Sequence, residues 1–453
     1  MAVAGGSGRR AWVVEVEKTL DEADASVEIT RWQRHCIYRV PACIKDLKPK
    51  AYKPQVVSLG PFHHGDRELR AMKEHKQRAL RHLLRRAKKS LEEFVAAVEE
   101  VAEQLESAYL DLGDGWRGGG EAGRERFLEM MIVDGCFLLE VMRAAGDYGR
   151  NTGDYAPNDP IFSHHGVLYM VPYIRRDMLM LENQLPLLLL EKLVAVETAK
   201  PPNADVINKM VLKFMSPTSR PPTGAGLGLH PLDVRRRSML YGSYQDDSSR
   251  SRDVMPEADI IRSALELYEA GIRFKTSNSD SLHDIRFRHG VLSMPAVSVD
   301  DSTEYMFLNM MAFERLHVGA GNDVTAYIFF MDNIIDSAKD VALLSTSGII
   351  QNAVGSDKAV AQLFNSISKD VVIEPESALD AVHREVNAYC RKPWNLWRAN
   401  LIHTYFRSPW AFMSLAAAVF LLVMTVMQTV YTVLPFYQQN QDSNGPPVAP
   451  APM

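Results

Sequence analysis

From Trp410 to Val433 the chain reads WAFMSLAAAVFLLVMTVMQTVYTV, without a single Asp, Glu, Lys or Arg. A helix of this length rises about 36 Å, enough to cross a hydrocarbon core of about 30 Å with some tilt. No other stretch is as long and as apolar. The sequence therefore predicts a large body hung on one C-terminal transmembrane helix, 410–433. Trp410, Leu415, Phe420, Leu421, Leu422, Val430 and Val433 are the expected lipid-facing anchor residues, and a short tail, 434–453, follows. Within the span, Ser414 and Ala418 form a small-xxx-small pair and Gln428 is polar, features compatible with helix pairing and so with a homodimer.

The flanks give the span a direction. Before it, in a juxtamembrane segment at 391–409, lie Arg391, Lys392, Arg398 and Arg407 together with Trp394 and Trp397; after it there is no Lys or Arg. Positive charge stays on the cytosolic side, and Trp favours the interface. The expected localisation is thus a single-pass membrane protein, in the plasma membrane or an endomembrane, with a cytosolic body and its tail outside or in a lumen. No Asn begins an Asn-x-Ser/Thr acceptor, which agrees with a body that never meets the glycosylation machinery. The N-terminus has no apolar run of signal-peptide type and carries Ala at position 2, which excludes myristoylation. Insertion is expected to be post-translational.

The body should fold. Its 46% apolar and 24% charged residues are those of a globular protein, and a net charge of −5 argues against a dedicated nucleic-acid binder. Cys36, Cys43, Cys136 and Cys390 are too few and scattered for a disulfide scaffold, so free thiols are expected.

Apolar periodicity predicts a mainly α fold with a minor β component (α+β). Residues 1–30 read as a partly disordered lead with a short amphipathic helix near Trp12–Leu20. The first part of the body, 31–200, opens on a proline-rich segment, Ile37–Gly65, where Gln55–Leu59 reads as a short strand. One long helix should run from Leu69 to Leu105, followed by a glycine-dense loop at 111–123, a central core helix at 124–145, and an apolar helix at 173–194 that Pro186 should kink or restart. Residues 201–255, rich in Pro, Gly and Ser, read as a long loop or linker. The second part, 256–390, should hold a helix at 256–271 and helices near 302–316, 323–344, 357–367 and 375–390. Between them a small antiparallel β element lies around 272–299, with Ile285–Arg288 and Val291–Val299 joined by the His289-Gly290 turn.

No residue set with a catalytic, cofactor or metal signature emerges. His63-His64 and His164-His165 lack a carboxylate or Cys at ligand spacing, and there is no phosphate loop, nucleophile elbow or second Cys pair. Lys73, Lys76, Arg78, Arg81, Arg85, Arg86, Lys88 and Lys89 make a basic helix face, with Arg81, Arg85, Arg86, Lys88 and Lys89 the candidate interaction residues, read either as a solvated surface or as a contact for anionic lipid or an acidic partner. Asp134 in the core helix, and Glu182, Asn183 and Gln184 between the runs MLML and LPLLLL, are polar groups that need partners.

Taken together, IYRVPACIKDLKPKAYKPQVVSLGPFHHG, MIVDGCFLLE, DMLMLENQLPLLLLEKL, ALELYEAGIRFK and FLNMMAFERLH, followed by a Trp/Arg-rich approach to a C-terminal span, resemble the plant family catalogued as domain of unknown function 247. The resemblance covers nearly the whole chain from Ile37. It implies a plant protein, mostly helical and membrane-associated at its C-terminus, linked to recognition and reproductive or developmental roles, with no catalytic residues to carry over. VSLGPFHHG then reads as a tight turn and LENQLP as the kinked core helix. The expected function is a non-catalytic interaction, recognition or signalling module with a protein partner. The alternatives are a membrane-tethered enzyme with a site near His63 and His64, and a structural membrane component.

Overall fold

The structure is a computed structural model. It describes residues 34–117, 120–146, 154–217, 223–242, 261–369, 379–401 and 409–442, with isolated positions before 34. The expected amphipathic helix near the N-terminus, most of the 1–30 lead, Arg407 and the end of the tail lie outside them.

The long helix expected from 69 to 105 is three helices. The first, α1 (Met72–Ala87), stops where Lys88 turns left-handed at φ 55. Ser90 and Glu93 then close a capping box that starts α2 (Leu91–Glu99), and Ala102–Ser107 follows. Apolar spacing alone hid these breaks because both helices bury faces in one core: Leu83, Phe94 and Val98 are fully buried there. At its centre is α3 (Gly120–Gly146), as its apolar circumference predicts, with Phe127, Met131, Phe137, Leu138 and Val141 at 0% exposure.

Two further expectations are decided nearby. Gln55–Leu59 forms no strand; its amides are taken by side chains instead. The helix expected at 173–194, kinked or restarted at Pro186, restarts there: Val171–Asp177 ends, 178–186 is non-helical, and Pro186 is the N-cap of α4 (Leu187–Thr198). Proline prevents a helix from running through, and three polar residues before it supply alternative partners for the backbone.

The Pro/Gly-rich stretch expected as a linker also carries structure. It holds α5 (Ala204–Met215) and α6 (Pro231–Leu240), whose Ile207, Val211, Leu212, Leu232 and Val234 are buried. Glycines and prolines punctuate these helices: Asn203 caps α5, and Pro231 sits at the first position of α6.

A second core forms around α7 (Thr303–Leu316) and α8 (Asp323–Ile334), with Phe307, Met310, Tyr327, Phe330 and Met331 fully buried. Here the β element departs from the antiparallel expectation. β1 (Arg273–Thr276) pairs parallel with β3 (Val291–Met294), and only β2 (Arg286–Arg288) pairs antiparallel with β3, through the expected His289-Gly290 turn. β4 (Val297–Val299) leaves this sheet to pair parallel with β5 (Ile350–Asn352). A helix at Ala338–Thr346 continues after a break at 335–337, where a single helix to Leu344 was expected. Then come α9 (Asp357–Ile367), α10 (Asp380–Cys390), α11 (Pro393–Leu401) and α12 (Pro409–Asp442). Within α12, Phe412–Leu434 is long and apolar enough to cross a membrane, and Trp410, Phe420, Leu421, Leu422, Val430 and Val433 are exposed along it, with Leu415 partly covered.

The two cores share one early segment. Cys36 and Ile37 belong to the first, while Tyr38, Val40, Ala51 and Tyr52 belong to the second.

Candidate functional site

The proline-rich segment has few backbone partners of its own, so side chains from distant elements hold it. Asp177 accepts from the amides of Gln55, Val56 and Val57, at 3.1, 2.7 and 2.9 Å. Asn183 accepts from Leu59 N at 2.7 Å and donates to Val57 O at 3.0 Å. Asp134 accepts from Gly60 N at 3.0 Å, and Glu182 accepts from Val40 N and Lys45 Nζ, both at 2.7 Å. Gln184 donates to Met178 O and Met180 O and accepts from Leu232 N. Each polar group that interrupts an apolar run thus satisfies buried backbone, as buried polar groups must. Gly60 is required at its place: φ is 75, and a Cβ would stand 2.8 Å from Tyr109 Oη and 2.9 Å from Gln184 O.

The clamp fixes the turn at 62–65 so that its two histidines diverge. His63 is turned inward, with Nδ1 3.2 Å from Asp66 and Nε2 3.3 Å from Glu182. The second contact is close enough for an ion pair when the ring is protonated, but it is not aligned as a hydrogen bond. Burial works against the Glu182 charge. The His63 ring, the Lys45 ammonium and the Val40 amide outweigh it and hold the carboxyl below its usual range. His64 points the other way and meets Trp116 edge to face at 5.4 Å. Burial, followed by smaller opposing effects of Asp134 and of Lys76 and Lys73, lowers its pKa, so it is neutral at pH 7.

His64 and Trp116 form the aromatic wall of an open cleft of about 770 Å³ between the 58–66 turn, α1 and α3. Arg70, Lys73 and Arg126 line its rim with Gln77 and Glu129, and Ser58, Lys76 and Asp134 line its floor. Lys76 is 6% exposed, and its ammonium donates to Asp134, to Ser58 O and to Ser58 Oγ. The floor is thus an internally neutralised pair, and the rim carries the net positive charge. A cleft with aromatic and cationic walls fits an anionic or amide-rich chain segment. Lys76, expected on the basic face, lies instead in the buried register of α1 with Met72, Ala79 and Leu83.

The basic helix face does not survive as one surface. Arg86 turns into the body, where it bonds Glu140 and meets Glu197 at 2.9 Å and Asp154 at 3.6 Å. Arg85 donates to His82 Nδ1, Lys89 pairs with Glu93 at 2.6 Å, and Lys88 is the left-handed cap of α1; Arg81 is exposed. His164 opens the short helix His164–Tyr169, and His165 lies against Tyr169 at 4.6 Å. Among the described residues, no group of three or more His, Cys, Asp or Glu is arranged to hold a metal ion. Trp394 and Trp397 are exposed on α11, 5.2 Å apart, and the Arg398 guanidinium lies against Gly271.

The sequence reading missed a second buried cluster. Glu314 accepts from Arg236 at 2.7 Å and from Val324 N and Thr325 N at 2.9 Å, joining α6, α7 and α8. Beside it, His230 accepts from Asp233 N through Nδ1 and therefore donates from Nε2 to Cys36 O at 3.0 Å. Burial drives the His230 pKa down to about 4. The unfolded chain protonates this ring near pH 6.5, so between there and about pH 4 the unfolded state binds the extra proton. Stability present above that window is lost as pH falls through it. Acidification should cost about 3 kcal/mol from this ring. Urea midpoints at pH 7 and pH 4.5 test this, and the acid sensitivity should flatten in His230→Gln.

Comparison with known proteins adds three findings. The family described as "Plant protein of unknown function", DUF247, matches residues 37–424. The UPF0481 protein At3g47200 of Arabidopsis thaliana is 32% identical over 452 residues, 92% of this chain and 90% of the relative. The putative UPF0481 protein At3g02645 of the same plant is 23% identical over 516 residues, 92% of this chain and 93% of that relative. No solved structure matches significantly.

Proposed function

We propose, from the premise that this chain belongs to the DUF247 family of plant proteins, that it is a membrane-anchored recognition module without catalytic activity. Its body binds a partner protein through the cleft beside the 58–66 turn. The helix Phe412–Leu434 is the anchor, in contact with lipid, and the positive-inside rule places the body in the cytosol. One observation carries the reading. The cleft offers an aromatic wall and a cationic rim to a partner, while the polar groups of its floor are already spent on one another and on backbone. No nucleic acid is expected to compete, given the net charge of −5.

A second reading, an enzyme using His63, draws support from the placement of that ring between Asp66 and Glu182. Against it, Glu182 is occupied by Val40 N and Lys45. Both readings meet one experiment. Proximity labelling in plant cells should give reproducible partners for the anchored protein and lose most of them, at least about tenfold, in Trp116→Ala/Lys73→Glu, with membrane fractionation unchanged. His63→Ala should leave the partner set intact. An unchanged partner set in the cleft variant would remove the cleft from the function. No partner beyond an untethered control would remove the recognition reading itself.

A further inference from the structure

The three-stranded sheet turns one face into the second core and the other outward. Phe274, Leu292 and Phe287 lie in register on the inner face, with Leu292 at 0% exposure. Alternation brings the intervening residues to the outer face. There Arg273, Val291 and Arg288 form one row, and Lys275, Ser293 and Arg286 form the next. The strands thus bring four cations and no carboxylate of their own to this face, and Asp284, just before β2, neutralises one of them. Among the described residues, only Arg286 has an ion-pair partner, Asp284 at 2.9 Å; Arg273, Lys275 and Arg288 are exposed and have none. Like charges on one sheet face repel, so the arrangement costs stability unless something anionic covers it. Cations on edge strands also block edge-to-edge pairing, and β1 and β2 are both edges.

The position of the face favours a membrane over that bland role. The Arg398 guanidinium packs against Gly271, just before β1, and Tyr389 Oη packs against Gly290 in the β2–β3 turn. Lys392 lies 5.4 Å over the Tyr389 ring. The juxtamembrane helix α11 is therefore docked at the end of the sheet that bears Arg273 and Arg288, with Trp394 and Trp397 exposed on it. From Leu401 to Pro409 the chain can reach at most about 28 Å, which keeps this end of the body close to the span.

We propose that the outer face of this sheet, with Trp394 and Trp397 beside it, docks on the anionic phospholipid headgroups of the membrane that holds the anchor. The proposal rests on the anchor reading above. Basic side chains near an anionic leaflet gain attraction that falls off within a Debye length, and the two indoles suit the headgroup layer. The body then lies against the bilayer instead of swinging on its tether.

The test uses the full chain in lipid nanodiscs. Cys43, the one exposed cysteine of the four, is replaced by serine, and a fluorophore is placed at Ser293→Cys, between Lys275 and Arg286. Quenching by nitroxide headgroup lipid should be about threefold stronger in discs with about 30% phosphatidylserine than in neutral discs. It should return to the neutral-disc level in about 0.5 M salt and in Arg273→Glu/Arg288→Glu. Equal quenching in both disc types, or no loss in the charge-reversal variant, would overturn the proposal while leaving the anchor in place. Failure of the chain to enter discs, or its release from membranes by alkaline carbonate, would overturn the anchor and this docking together.

Discussion

Asp177→Ala should lower the free energy of unfolding by about 4 kcal/mol, the largest loss expected of any single truncation in the proline-rich clamp. The carboxylate is fully buried, and it is the acceptor for three consecutive amides, Gln55, Val56 and Val57. Without it those donors have no partner, and each unsatisfied buried group costs about 1–3 kcal/mol. Burial raises the Asp177 pKa in spite of the three amides and nearby Arg176. A raised carboxyl pKa means the fold holds the proton more tightly than the unfolded chain does. The three amides offset only part of that burial cost, and the carboxyl holds the segment through its acceptor oxygens. Asp177→Asn keeps one such oxygen and should lose about half as much. Urea titration of the detergent-solubilised protein, followed by tryptophan fluorescence, separates the three proteins. A cost under about 1 kcal/mol for the alanine variant would mean that the segment's own buried side chains, Val57 and Leu59, hold it alone.

Lys76→Met should cost about 3–5 kcal/mol, because it strands Asp134 as an unpaired charge at 1% exposure. Replacing both partners, Lys76→Met/Asp134→Leu, should recover much of that loss, since apolar residues of similar volume often match a buried pair. Recovery will be incomplete, as the Gly60 amide also depends on Asp134. The same denaturation series reads the coupling. Additive losses would show that the two side chains act independently, and the account of the cleft floor would have to change.

How much of this was legible in the sequence depends on what each residue was asked to specify. The helix long and apolar enough to cross a membrane needed only length and the absence of charge. The core helix at 120–146 needed only an apolar circumference. Pro186 announced a disruption, but kink and break read alike in sequence; Asn183 and Gln184 decided it by bonding Val57, Leu59 and Leu232, far along the chain. The prolines and glycines of 201–255 suggested a linker because they mark boundaries, and boundaries crowd together when two short helices fit between them. The mixed sheet was out of reach. A hairpin turn predicts β2 on β3, yet nothing local says that β1 joins the other side of β3 in parallel. His63 and Glu182 do come within 3.3 Å, and only the structure shows that Glu182 also takes Val40 and Lys45. The cleft was not foreseen, because Lys76 at its floor reads in sequence as one more cation of the basic face.

The early segment that serves both cores also bears on how the chain is made. Tyr38 donates to His35 O and meets His317 Nδ1 at 2.9 Å, 279 residues away, and Asn309 donates to Ala51 O across 258. Residues synthesised first therefore wait for residues synthesised much later, and the last pieces of the second core, Val386 and Cys390, emerge just ahead of α11. Closure with such long loops is slow, and apolar surface stays uncovered meanwhile. The long apolar α12 emerges in the same interval, so a chaperone that shields the body's uncovered surface would meet that helix as well.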